Sequence, residues 1–186
     1  MSDFKKLIKN SYVIPGIRDL DDIKYAVKTK SEIIFLLTGS ILDLENIMKY
    51  IKRYNKKLIV NVDLVEGIAY DKKGIEFLAK KELCHGIIST KNNLIKSAIK
   101  ENLLTVQRVF LIDSGSLNSI KNLIDKNGEP DAFEILPAVA APYFIQNIVT
   151  SAAVIAGGLV SQKKEIEELI KKGICAISTS AKDLWF

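Results

Sequence analysis

The chain has little of what builds metal centres, disulfide frameworks or membrane spans. Its 186 residues include one histidine, two cysteines and one tryptophan. Cys84 and Cys175 are far apart, each within an apolar stretch, and no zinc-type ligand spacing exists around His85. No metal site is expected, and both cysteines read as small buried hydrophobes. No apolar run reaches the ~18 residues of a membrane helix. The best, residues 152–160, is broken by Gly157 and Gly158. The opening MSDFKKLIKN lacks the apolar centre and cleavage site of a secretory signal, so a cytoplasmic location and no membrane partner are expected. Arginine is scarce as well. Only Arg18, Arg53 and Arg108 occur among 27 basic residues. The net charge of +5 therefore rests on dispersed lysines, which favour a nucleic acid partner only weakly.

What is present is an ordinary folding composition. Hydrophobic residues make up 48% and charged residues 26%, as in globular domains. A chain of this length buries roughly 70% of its unfolded surface, enough for one core without staples. A single domain over residues 1–186 is expected, with no linker, repeat or low-complexity segment.

Two hydrophobic periods alternate along it. Short β-branched runs bounded by Gly, Asp, Ser or Pro occur at 13–18, 32–38, 58–65, 86–90, 103–110, 132–137, 154–157 and 174–178. Helical spacing fills the gaps, as in Leu44, Ile47, Met48 and Ile51, or Ile166, Leu169 and Ile170. Alternation of this kind implies parallel strands with crossover helices. Eight units predict an α/β fold, a small (β/α)8 TIM-type barrel, below the ~200 residues at which such barrels usually begin. An open doubly wound sheet of six or seven strands is the alternative. The first twelve residues place Phe4, Leu7 and Ile8 on one helical face, a short leader helix suited to the barrel floor.

In a barrel, chemistry gathers at the carboxyl ends of the strands. There the turns IAGGL and AISTS supply Gly157, Gly158, Ser178, Thr179 and Ser180. Small residues with free backbone N–H groups in consecutive turns suit a phosphate, aided by the positive end of a short following helix. Other polar residues fall on the same rim: Arg18, Asp63, Glu66, Lys91, Gln107, Arg108 and Glu134. In LIVNVDLVEG, Asn61 and Asp63 share one face; in AFEILP, Glu134 shares a face with Ala132 and Leu136. A carboxylate inside a small barrel is costly unless paired, and Arg18 and Lys91 are candidate partners. The bland reading is a structural ion network; the functional one is recognition of hydroxyls and charge on a small ligand. Lys91 can in principle form a Schiff base, and Asp63 or Glu134 can move protons, yet none sits in a motif that specifies a reaction. His85 precedes the fourth strand, on the floor, where a structural role is expected.

Taken in order, VNVDLVEGIAYDKKGIEFL, GIISTKNNLIKSAIKENLLTVQRVFLIDS, PDAFEILPAV, VIAGGL and AISTS, with a final STS-x-x-x-LW pattern, resemble the glycerol uptake operon antiterminator family. The resemblance runs from Ile14 to Trp185. It implies a barrel that senses glycerol 3-phosphate and binds leader mRNA of glycerol-uptake genes to prevent premature termination, without enzymatic activity or cofactor. It leaves room for a homo-oligomer. Loops around Gly39, Gly67 and Ala140 are expected to close over the ligand. Two other readings stand beside it: a phosphate-binding barrel enzyme of aldolase or isomerase type, and a ligand-binding regulator acting through a protein partner.

Overall fold

A computed structural model describes residues 3–186, with residues 3, 123 and 125–127 described by their backbone alone. The first two residues of the expected leader lie outside the described ones. Eight strands, β1 (Val13–Ile17), β2 (Ile33–Leu36), β3 (Lys57–Asn61), β4 (Gly86–Ser89), β5 (Leu104–Phe110), β6 (Ala132–Leu136), β7 (Ala153–Gly157) and β8 (Ala176–Thr179), pair in parallel and in chain order. β8 returns to β1 through Val13–Ile177, Ile14–Ser178 and Pro15–Thr179, so the sheet is a closed barrel and the open alternative is excluded.

A leader helix α1 (Asp3–Leu7) precedes the barrel. The crossovers are α2 (Ile23–Ala26), α3 (Leu44–Lys52), α4 (Lys72–Lys80), α5 (Asn92–Lys100), α6 (Ser114–Asn127), α7 (Ala141–Asn147) and α8 (Lys163–Lys171). Only a 3-10 turn, Lys182–Leu184, stands in the eighth helical position. Economy of helix is how so short a chain completes the barrel. Several helices are started by their own side chains. Asp71 accepts the Gly74 N–H ahead of α4, and Asp113 accepts the Ser116 N–H ahead of α6.

Strand alternation sorts the core into an inside and an outside. Ile14, Ile33, Phe35, Ile59, Ile88, Val106, Ala132, Ile155 and Ala176 fill the lumen. Their neighbours Ile34, Leu58, Val60, Phe133 and Ile177 face the helices. Phe4 and Ile8 belong to the lumen cluster, so α1 and the residue after it close the floor. His85 lies at that end. Its Nδ1 accepts the Leu58 N–H at 3.1 Å, and burial, with the charges of Lys57 and Lys52, lowers its pKa to about 4. Burial pushes the Cys84 thiol up to about 12, consistent with an inert core residue.

One boundary departs from the sequence reading by more than two residues. The run expected to extend to residue 65 leaves the sheet after Asn61. The Asn61 side chain accepts the Asp63 N–H, and its carbonyl accepts the N–H groups of Leu64 and Val65. A local turn thus competes successfully with the ladder, and DLVEG becomes a mouth loop.

Candidate ligand-binding site

Four polar side chains enter the upper lumen where β-branched residues stop: Asn61, Arg108, Glu134 and Ser178, all buried. Strand register places Arg108 of β5 directly beside Glu134 of β6. Arg108 Nε donates to Glu134 Oε2 at 2.7 Å, and Ser178 Oγ donates to Glu134 Oε1 at 2.5 Å. With side chains 9% and 2% exposed, this is a buried, doubly hydrogen-bonded ion pair. Only such pairing makes a carboxylate tolerable in that position. The partner of Glu134 is Arg108; of the two partners the sequence offered for the rim carboxylates, Lys91 pairs with Asp63, while Arg18 has no ion pair among the described residues.

Above the pair opens a cavity of about 350 Å³ lined by Arg18, Arg108, Glu134, Gly158, Ser178, Thr179 and Ser180, among others. That is the scale of a small-metabolite site. Two of its cations retain unused donors. Arg108 engages only Nε, and Arg18 has no ion pair among the described residues. The turn after β7 is shaped by Gly158 at φ +76° followed by Leu159 at +59°. In this bend the N–H groups of Leu159 and Val160 have no hydrogen bond among the described residues, and neither has that of Ser180 after β8. The two glycines serve different purposes. A Cβ on Gly157 would stand 2.6 Å from Ser178 Oγ and 3.1 Å from Glu134 Oε1, whereas Gly158 is required for its backbone conformation. The positive end of α8 is not free to assist. Glu165 Oε2 accepts the N–H groups of Ser161 and Gln162 at 2.8 Å each.

The remaining candidate residues lie elsewhere. Asp63 and Lys91 meet on the β3–β4 side, 3.0 Å apart. Asp63 also accepts the Ser89 hydroxyl, the Thr90 N–H and the Thr90 hydroxyl. Burial pushes its carboxyl up, but the bonds from Thr90, Lys91 and Ser89 outweigh it and hold the pKa below the ordinary value. Lys91 Nζ also sits 4.2 Å from the Tyr70 ring centre. Gln107 faces outward from β5, its amide donating to the carbonyls of Ser89, Thr90 and Arg108. Glu66 is exposed in a loop whose backbone is tied to the loop after β2. The Glu66 N–H donates to Gly39 O, and the Ile41 N–H donates to Glu66 O. The loops around Gly39 and Gly67 are therefore one joined unit.

Two residues were not among the candidates. Gly16 of β1 lines the cavity, where a Cβ would stand 3.1 Å from the Leu37 side chain and 3.4 Å from the Thr179 carbonyl; a glycine within the VIPGI strand is its signal. Asn61, outside the cavity lining, has its amide nitrogen buried on the lumen side of β3 with no partner among the described residues.

This arrangement can hold an anion against arginines and backbone N–H groups, with a carboxylate and hydroxyls beneath it. A family model described as glycerol-3-phosphate responsive antiterminator matches residues 13–185. The chain belongs to that antiterminator family. A glycerol uptake operon antiterminator regulatory protein from Listeria monocytogenes is 32% identical, each chain covered to 95%, with a TM-score of 0.86. A related antiterminator protein from Thermotoga maritima is 33% identical, with 93% of this chain and 96% of that one covered, at TM-score 0.83. The uncharacterized protein YgcP of Escherichia coli is 32% identical over 96% of this chain and 94% of its own length. An aldolase at 9% identity and TM-score 0.71 shares the barrel fold alone. No helix among the described residues is long and apolar enough to cross a membrane.

Proposed function

We propose that this antiterminator senses glycerol 3-phosphate in the β7–β8 cavity and binds leader RNA of glycerol-uptake genes in response, in the cytoplasm and without transforming its ligand. The observation that carries the reading is the set of unused anion donors around one cavity: Arg18, the terminal nitrogens of Arg108, and the N–H groups of the two turns. The phosphate sits against Arg18 and those N–H groups, and the Arg108–Glu134–Ser178 chain receives the glycerol hydroxyls. The absence of chemistry has its own support. The Lys91 amine is tied up in an ion pair with Asp63, and Ser178 donates to Glu134 with no imidazole between them.

A ligand changes RNA affinity only if it favours the RNA-competent conformation. Reciprocity then requires RNA to tighten ligand binding by the same factor. The test is to titrate labelled leader RNA at several salt concentrations, with and without glycerol 3-phosphate, while monitoring the ligand by chromatography. Tighter RNA binding with intact ligand supports the reading. Affinity indifferent to ligand overturns the regulation, and consumption of the ligand favours the enzyme reading.

A further inference from the structure

A second cavity lies on the flank of the barrel, away from the mouth. It measures about 570 Å³ and is formed where the leader, the segment after α2, α8 and the last residues converge. Lys9, Lys28, Lys30 and Lys163 line it, all exposed, against Glu167 as its acidic residue. None of the four lysines has an ion pair among the described residues, although lysines elsewhere on the surface do, such as Lys49, Lys73 and Lys80. Two aromatic rings stand in the same groove and turn to solvent, Tyr12 at 57% and Phe186 at 70% exposure. Unpaired cations beside open rings match the two surfaces of a single nucleic acid strand, its phosphates and its base faces. A protein partner's apolar face would leave the four charges desolvated and unanswered.

The groove is also wired to the ligand cavity. Trp185 lies six positions after Thr179, and its indole N–H donates to the Thr179 carbonyl at 2.9 Å. Thr179 lines the ligand cavity and Trp185 lines the groove. Lys182 pins the intervening turn to Asp22, just ahead of α2, at 2.8 Å.

We propose that this flank groove is the RNA site. The phosphates of a single strand contact Lys9, Lys28, Lys30 and Lys163, its bases stack on Tyr12 and Phe186, and residues 179–185 carry the ligand state to it. The proposal rests on the reading that the protein binds RNA, and it supplies the surface. Trp185 is here a positioning residue, touching neither ligand nor RNA phosphate.

The full chain is tested with a labelled single-stranded leader RNA. The Lys28→Gln/Lys30→Gln variant should lose at least tenfold in affinity at low salt. Its slope of log affinity against log salt should shrink by about 1.4, from ~0.7 per lost phosphate contact on a single strand. Tyr12→Ala/Phe186→Ala should weaken binding by about thirtyfold or more while leaving the slope unchanged. In both, the thermal shift caused by glycerol 3-phosphate should match that of the parent. Trp185→Phe should bind ligand and RNA, yet lose most of the ligand's effect on RNA affinity. If the parent binds RNA and these variants bind equally well with the same slope, the RNA lies elsewhere and the groove proposal fails alone. If the parent binds no RNA at any salt, the RNA reading fails and takes the groove with it. A concentration-dependent dimer abolished by the groove variants, with RNA affinity unchanged, would assign the surface to a second copy and overturn the proposal.

Discussion

Two polar clusters stand at the mouth of this barrel, and they differ in whether their hydrogen bonding is finished. On the β3–β4 side, Asp63 receives the Ser89 and Thr90 hydroxyls, the Thr90 N–H and the Lys91 amine, and Lys91 is further covered by Tyr70. On the β6–β8 side, Glu134 is equally satisfied, but the cations around it are not: Arg108 uses one of its three nitrogens there, and Arg18 has no ion pair among the described residues. The first cluster pins a loop; the second leaves cationic donors unused at the cavity. A charged residue at a barrel mouth is thus a poor guide to binding until its partners are counted.

Breaking the open cluster at its base should have the largest effect. Glu134→Ala leaves Arg108 charged and unpaired in the lumen, costing about 3–5 kcal/mol in chemical denaturation and abolishing the ligand's thermal shift. Asp63→Ala, its counterpart in the closed cluster, should cost about 2 kcal/mol, since water reaches part of that site. The ligand shift should survive. The acid limb separates them further. The Asp63 pKa is lowered on folding, so its stabilisation is present above the ordinary carboxylate value and is lost as pH falls through the lower folded value. Asp63→Ala should therefore flatten stability against pH in that acid window. A ligand shift abolished by Asp63→Ala in a folded protein would unite the clusters and end the comparison.

The same contrast explains which features were legible in the sequence. All eight strands were found because barrel strands are buried on both faces and read as β-branched runs between turn residues. The mouth turns at Gly157–Gly158 and Ser178–Ser180 were legible for a similar local reason. Pairings across strands were not. That Glu134 meets Arg108 follows from β5–β6 register, which no local pattern encodes. Gln107 and Arg108 were grouped together, although consecutive residues of a strand face opposite ways. The flank groove is still less visible, because Lys9, Lys28, Lys163 and Phe186 converge from opposite ends of the chain.

The floor offers a control remote from both clusters. His85 must be neutral at Nδ1 to accept the Leu58 N–H, and its folded pKa is about 4. The unfolded chain, with an ordinary value near 6.5, binds a proton that the folded chain refuses between these limits. Stability should fall as pH drops from about 6.5 to 4, by about 1–2 kcal/mol after discounting for partial exposure. His85→Asn keeps an acceptor for Leu58 and should remove that slope while sparing the ligand shift. A slope unchanged in the variant would move the titrating group elsewhere.

The smallest effect on stability should come from a residue whose expected effect on binding is large. Arg18 is exposed and makes no ion pair among the described residues, so Arg18→Gln should change unfolding free energy by no more than about 0.5 kcal/mol. Arg18 nevertheless lines the cavity together with turns whose Leu159, Val160 and Ser180 N–H groups have no acceptor among the described residues. For the parent, ligand at 100 times its dissociation constant adds ~2.7 kcal/mol of stability. At the same ligand concentration Arg18→Gln should lose most of that increment, because a charge-assisted phosphate contact is worth about 1.5–3 kcal/mol. Arg18→Lys, which keeps the charge without the planar fork, should recover part of it. Differential scanning fluorimetry with glycerol 3-phosphate, and with glycerol as the uncharged comparison, decides the matter. Should Arg18→Gln respond to glycerol 3-phosphate as the parent does, the phosphate does not lie against Arg18, and the open cluster's unused cation has some other purpose.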